Sequence, residues 1–321
     1  HYLVSGDAII TDDDYTYLLL FNKEMYANNS DLSGKYGDLY DLVREGKWTL
    51  DVMHEMMKAV SQPDIDGAWT ENATYGMAGS NNIGNVFMNA GGYLPAAKTA
   101  DGGIEITIGN EANLDAFGRI YDIFSDTTTT LLVERFSTNG WDIVNDSFRE
   151  GRSLFYSTNA STISNFKNEE KDVVSFGVLP NPKFTEEQER YYHNVNNGNS
   201  SVLAISSTNV ENLEATYYLL ELLGYYGKHT PFKSINDAYY ETTLKLQATD
   251  TDEDARMLDI IFDSAFYDLG SIFTWGTLSG LYGSVISNDA DNTLVSSWQQ
   301  IESAVTAAME ETVRQYRESI T

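Results

Sequence analysis

Residues 2–26, YLVSGDAIITDDDYTYLLLFNKEMY, place two apolar, β-branched and aromatic runs on either side of three consecutive aspartates. Such runs predict strands at Tyr2–Val4 and Tyr15–Phe21. Asp12, Asp13 and Asp14 then form a charged loop, and Asn22 is the N-cap of a following helix. At Thr49 the period changes. Leu50, Met53, Met56, Met57 and Val60 recur at three- and four-residue spacing, which predicts a helix over 49–61. A short strand near Tyr75–Ala78 precedes a helix in 80–90 that turns Ile83, Val86, Phe87 and Ala90 inward. Residues 91–110 read as a turn and a polar-flanked hairpin ending at Asn110. That residue caps a helix running to about Ser125, with Leu114, Phe117, Ile120, Tyr121 and Phe124 on its apolar face.

The second half repeats the alternation. Helices at 142–149 and 158–169 flank a strand at 152–157, and Gly151 is a C-cap candidate. A strand in VVSFGVLPNP is stopped by Pro180 and Pro182, and another apolar strand falls at 201–206. From 209 onward the pattern is helical, at 209–225, 236–247, 252–264, 278–287 and 293–318. In the last of these Leu294, Trp298, Ile301, Val305, Met309 and Tyr316 keep helical register. No repeat of solenoid period is present. The result is an α/β alternation with a helical tail.

A chain of 321 residues has enough apolar surface for two domains, and 42% hydrophobic residues with only 5 prolines describe a folded protein. Twenty basic against 48 acidic residues give a net charge of −28. Nucleic acid is therefore not an expected partner, and the acidity serves solubility. Cysteine is absent, which excludes disulfides, thiolate metal sites and cysteine nucleophiles. That suits the cytosol and also disulfide-free exported bacterial proteins. No window of eighteen uncharged apolar residues occurs. The sequons at Asn28, Asn72, Asn145, Asn159 and Asn199 would matter only in a eukaryotic secretory protein.

Familiar catalytic signatures are missing. His54 opens HEMMK, but a zinc protease helix needs a second histidine where Lys58 stands. GTLSG at 276–280 has the wrong spacing for a nucleophile elbow. The histidines are His1, His54, His193 and His229, too scattered for a metal cluster. In PDIDGAWTEN, Asp64, Asp66 and Gly67 match the third, fifth and sixth places of a calcium loop. Gln62 and Ala73 occupy its first and twelfth places, so an Asp-Gly turn is the plainer reading. No cofactor is expected. A glycoside hydrolase needs only two carboxylates, and that class stays open as the alternative.

Five stretches in order resemble the family 1 extracellular solute-binding proteins, the carbohydrate receptors of ABC importers. They are YLVSGDA…YLLLFNKEMY (2–26), YDLVREGKWTLDVMHEMMKAVSQ (40–62), YGMAGSNN…FMNAGG (75–92), SFREGRSLFYSTN (147–159) and VSFGVLPNPKF…NNGNSSVLAISSTNVENLEATYYLLELL (174–223). The resemblance implies an α/β, periplasmic-binding-protein-like two-lobe fold of type II, with the first part of the N-terminal lobe missing. Residues 8–195 and 276–321 would form lobe 2. Residues 1–7 and 196–275 would supply hinge strands and a partial lobe 1.

The resemblance also implies non-catalytic capture of a carbohydrate and delivery to a membrane permease. The full-length protein would be extracellular, lipid-anchored to a bacterial surface or periplasmic. Its own missing N-terminal segment would be a further partner. Sugar sites pair aromatic faces with polar forks. Asp7, Asn81, Asn82, Tyr156, Asn196, Asn197 and Asn199 are the polar candidates. Trp275, flanked by Gly276, is expected as an exposed stacking platform, with Tyr282 one or two turns on. Trp48, Trp69, Trp141 and Trp298 are assigned to structure.

Overall fold

Every residue of Tyr17–Asn22 (YLLLFN) is buried. A strand with one solvated face would alternate, so this run belongs inside a sheet covered on both sides. In the computed structural model, which describes residues 3–4, 9, 11–168, 172–206, 208–229, 239, 251–288 and 291–320, it does. In chain order the first elements are β1 (Leu3–Val4), α1 (Thr11–Asp14), β2 (Tyr17–Asn22), α2 (Lys23–Asn28), α3 (Ser30–Tyr36), α4 (Leu39–Arg44) and α5 (Leu50–Val60). Next come β3 (Tyr75–Gly79), α6 (Ile83–Ala90), the hairpin β4–β5 (Ala96–Lys98 and Ile104–Ile106), α7 (Glu111–Phe124), β6 (Thr130–Leu132) and α8 (Gly140–Arg149). They are followed by β7 (Ser153–Asn159), α9 (Ser161–Asn168), β8 (Phe176–Leu179), β9 (His193–Asn194), β10 (Leu203–Ala204) and α10 (Leu213–Lys228). The chain ends with α11 (Asp252–Asp263), β11 (Ala265–Phe266), α12 (Leu269–Phe273), α13 (Leu281–Ile286) and α14 (Leu294–Ile320).

Five strands form the main sheet in the order β6-β3-β7-β2-β8. β3 is parallel to β6 and β7, whereas β2 runs antiparallel to β7 and β8, with Leu20 opposite both Tyr156 and Val178. Helix α5 lies close on β3. A Cβ at Gly76 would stand 2.3 Å from that of Met57, so only glycine permits this approach. Helix starts are set as the polar pattern implies. Asn22 accepts the Met25 N–H at 2.9 Å, and Asn110 accepts that of Asn113 at 2.7 Å.

Several expectations shift. The aspartate run forms the short helix α1 rather than a loop. Strand β7 continues to Asn159, so its helix begins only at Ser161. The strand expected over 201–206 reduces to Leu203–Ala204, which pairs antiparallel with β1. The helix expected at 236–247 lies outside the described residues apart from Tyr239. Trp48 and Trp298 are buried, but Trp141 is 55% exposed and Trp69 sits half-open against Tyr75.

From α11 onward the chain packs against the main sheet. Asp254 is buried and accepts four hydrogen bonds. Lys23 Nζ (2.8 Å) and Thr251 Oγ1 (2.8 Å) bond one oxygen, and the Val178 N–H (2.9 Å) and the Tyr40 hydroxyl bond the other. These contacts tie α11 to α2, α4 and β8, and Met257, Leu258 and Ile261 complete the core there. Helix α10 differs, exposing Tyr218, Leu219, Leu223, Tyr225 and Tyr226. No helix among the described residues is long and apolar enough to cross a membrane.

Candidate functional site

Strand β9 has two residues, and buried polar contacts hold it in place. The Nε2 of His193 accepts the backbone N–H of Asn181 at 3.0 Å. Its proton therefore sits on Nδ1, which donates to Ser264 Oγ at 2.7 Å. That hydroxyl passes its own hydrogen to the Ile260 carbonyl at 2.8 Å. Burial pushes the imidazole pKa down to about 3, so the ring is neutral. β9 pairs in parallel with β11, and the chain beyond is held equally firmly. Val195 N–H donates to the Phe266 carbonyl at 2.9 Å, and Asn196 N–H to that of Tyr15 at 2.8 Å. With its amide oriented to satisfy both neighbours, Asn197 donates to the Val195 carbonyl at 3.2 Å and accepts the Ile272 N–H at 3.0 Å. The loop after β9 is thereby locked to α12.

A cavity of about 380 Å³ opens where this loop meets the start of β2, the first turn of α6, the end of α12 and the turn before α13. Five asparagines line it: Asn82, Asn85, Asn194, Asn196 and Asn197. Ser271, Thr274 and Ser279 contribute further polar groups, and Tyr17 and Ile272 contribute apolar surface. Among the described lining residues there is no Asp, Glu, Lys or Arg. Burial pushes the Tyr17 phenol up to about 12, against the opposing pull of its hydrogen bond with Asn82, so it too is neutral. Asn85 is held by donating to the Ser279 carbonyl. Asn194 is 5% exposed, and its Oδ1 has no hydrogen-bond partner. A buried acceptor left unpaired costs about 1–3 kcal/mol. The arrangement supplies uncharged donors and acceptors and gives an ionised group no counter-charge.

Of the residues expected at the site, Asn82, Asn196 and Asn197 meet in this cavity. Two close neighbours do not line it. Asn81 presents its backbone N–H to the Glu134 carboxylate at 2.8 Å and its amide to Ser287 at 3.4 Å. Asn199 is exposed, in the turn closed by its N–H to the Asn196 carbonyl. Asp7 lies outside the described residues.

All three aromatic candidates are buried, and none is an exposed platform. Tyr156 is not at the end of its strand, because β7 runs on to Asn159. Its ring sits between Phe148 and Phe166, and its hydroxyl donates to Asn145 at 2.6 Å. Tyr282 is fully buried and stacks on Phe117 with ring centroids 5.0 Å apart. Trp275 is 3% exposed. Thr274, Trp275 and Gly276 all have positive φ, and this tight turn swings the indole inward. There it stacks on Phe273 at 5.3 Å and donates Nε1–H to Thr312 of α14 at 3.0 Å.

The cavity also contains residues that the sequence reading passed over. Asn85 lies three positions after Asn82, hence on the same helical face, and Asn194 lies two before Asn196, hence on the same side of an extended strand. Those two periodicities were the available signals. Tyr17 reads simply as part of an apolar strand, and Ser271, Thr274 and Ser279 have no distinguishing pattern. The calcium-loop likeness resolves into a turn. Asp64 Oδ1 accepts the Asp66 and Ala68 N–H groups, each at 3.0 Å, and its Oδ2 takes the Thr70 hydroxyl at 2.6 Å.

Comparison with solved structures decides the fold. The maltose/maltodextrin-binding domain MalE from Bdellovibrio bacteriovorus, bound to maltotriose, superposes with a TM-score of 0.56 at 15% identity, covering 98% of this chain and 73% of that one. The Thermus thermophilus maltotriose-binding protein gives 0.51 at 14% identity, with 93% and 70% covered. An ABC transporter solute-binding protein from Agrobacterium radiobacter in complex with ribitol gives 0.52 at 13% identity, with 92% and 68% covered. The chain has the two-lobe periplasmic-binding-protein-like fold. No family model matches the sequence, and no curated protein matches it.

Proposed function

We propose that this chain captures an uncharged carbohydrate in the asparagine-lined cavity and releases it unchanged. It acts as the substrate-binding component of an ABC importer that passes the sugar to a membrane permease. The observation that carries this reading is the lining itself, five asparagines with hydroxyls and a neutral phenol and no charged residue among those described. A sugar hydroxyl both donates and accepts, and so suits such a lining in a way that an ion does not. The fold agrees, since similar structures hold maltotriose and ribitol. In this reading the antiparallel pair β1–β10 is part of the hinge about which the lobes close on the ligand. The protein works outside the membrane, lipid-anchored or periplasmic.

A glycoside hydrolase would need two carboxylates beside the ligand, and the described lining offers none. Incubating the protein with neutral oligosaccharides, maltotriose first, tests the proposal. Tyrosine and tryptophan fluorescence should report saturable binding, and chromatography should recover the sugar intact. Steady release of reducing ends, or no response to any neutral sugar, would overturn it.

A further inference from the structure

A side-chain amide tied to the protein by one atom turns its other atom outward, and the bond fixes which atom that is. In the asparagine-lined cavity two amides are set in this way, in opposite senses. Asn85 donates Nδ2–H to the Ser279 carbonyl, which can only accept, so Oδ1 is its free end. The Oδ1 of Asn196 accepts the Gly198 N–H at 3.0 Å, and a backbone N–H can only donate, so Nδ2 is its free end. Both side chains are half-buried and line the cavity. Neither free end has a partner among the described residues, and neither is sealed from solvent.

The backbone holds both amides in place. A Cβ at Gly84 would stand 2.8 Å from Ile286 and 3.1 Å from Tyr282, so glycine lets α6 press against α13 and brings Asn85 to Ser279. Asn196 is anchored by its own N–H to the Tyr15 carbonyl at 2.8 Å. Its carbonyl accepts from the N–H groups of Asn199 at 3.2 Å and Ser200 at 3.0 Å. Asn197, with its amide bonded to Val195 at one end and to Ile272 at the other, has no comparable free end.

We propose that Asn85 and Asn196 set the specificity of this cavity by reading opposite polarity, a donating hydroxyl at Asn85 and an accepting oxygen at Asn196. This rests on the carbohydrate reading of the cavity. A free hydroxyl fills either role, whereas a ring or glycosidic oxygen only accepts. The ligand class that follows is a neutral saccharide with a free hydroxyl at Asn85 and any sugar oxygen at Asn196. Saccharides alkylated or linked through the position at Asn85 are rejected, because two acceptors would face each other there.

Calorimetric titration of the whole chain with D-glucose, maltotriose and their monodeoxy and monodeoxyfluoro derivatives tests the inference. Fluorine accepts a hydrogen bond weakly and donates none. At one position both hydrogen and fluorine should weaken binding to wild type by tenfold or more, which marks the hydroxyl at Asn85. At another, hydrogen should weaken it and fluorine should restore part of the loss, which marks the oxygen at Asn196. Asn85→Ala should bind the parent sugar at least tenfold more weakly and no longer distinguish it from the derivatives of the first position. Asn85→Ser serves the same comparison should the alanine variant not fold. Asn196→Asp, which accepts but does not donate, should lose the discrimination at the second position and keep it at the first. Absence of these two patterns in wild type, or their survival in the variants, would overturn the inference while sugar binding itself stands. No binding of either parent sugar would overturn it together with the carbohydrate reading.

Discussion

The imidazole of His193 accepts the Asn181 N–H at 3.0 Å, and this one bond joins the loop after β8, the edge strand of the main sheet, to β9, which carries Asn194. It requires a neutral ring. Burial lowers the folded pKa to about 3, from an ordinary value of 6.5. The unfolded chain therefore takes up this proton first as the pH falls. The contribution of His193 is fully present above pH 6.5 and is lost progressively down to about pH 3, at about 1.4 kcal/mol per unit. Asp14 has the opposite sign, because burial raises its carboxyl to about 6. A difference measurement isolates the histidine. Denaturant midpoints of wild type and His193→Gln, which keeps an acceptor near Nε2, should converge as the pH drops from 7 to 4.5. Parallel profiles would refute the assignment.

Asp254 should be the most sensitive carboxylate among the described residues. Asp254→Ala strands the Val178 N–H, the Tyr40 hydroxyl and the Lys23 ammonium at once. A loss of about 3–5 kcal/mol is expected, the range for breaking a buried charge network. Lys23→Met should cost less, because Asp254 keeps its three other donors. Urea unfolding of the two variants gives the comparison, and similar losses would mean that Asp254 is not the hub.

Trp275→Ala should act on stability first. Truncating a core indole costs about 3–5 kcal/mol. Trp275→Phe keeps most of the packing and loses only the bond to Thr312, at about 1 kcal/mol. Scanning calorimetry separates these expectations from those for an exposed platform, for which both variants would melt as wild type does.

Much of this architecture was legible in the chain because local signals and tertiary packing agree there. The Met53–Met57 stripe, the Asn110 cap and the fully apolar YLLLFN run each specify one outcome. The candidate site was half legible. Its asparagines follow strand and helix periods, so Asn82 and Asn196 point to Asn85 and Asn194 once the elements are in place. The aromatics misled because exposure depends on backbone direction. Glycine beside Trp275 suggests an open turn, and only the run of positive φ values at 274–276 shows that the turn points the ring at α14. Tyr156 failed for a smaller reason, a strand two residues longer than its apolar core.

In the proposed function an uncharged sugar is held by the asparagines around Asn194. Isothermal titration of maltotriose and other neutral oligosaccharides into wild type and Asn194→Leu measures it directly. Wild type should bind saturably and the variant should lose about 1–3 kcal/mol, with the melting temperature unchanged or higher. Equal affinity in the two proteins would contradict it.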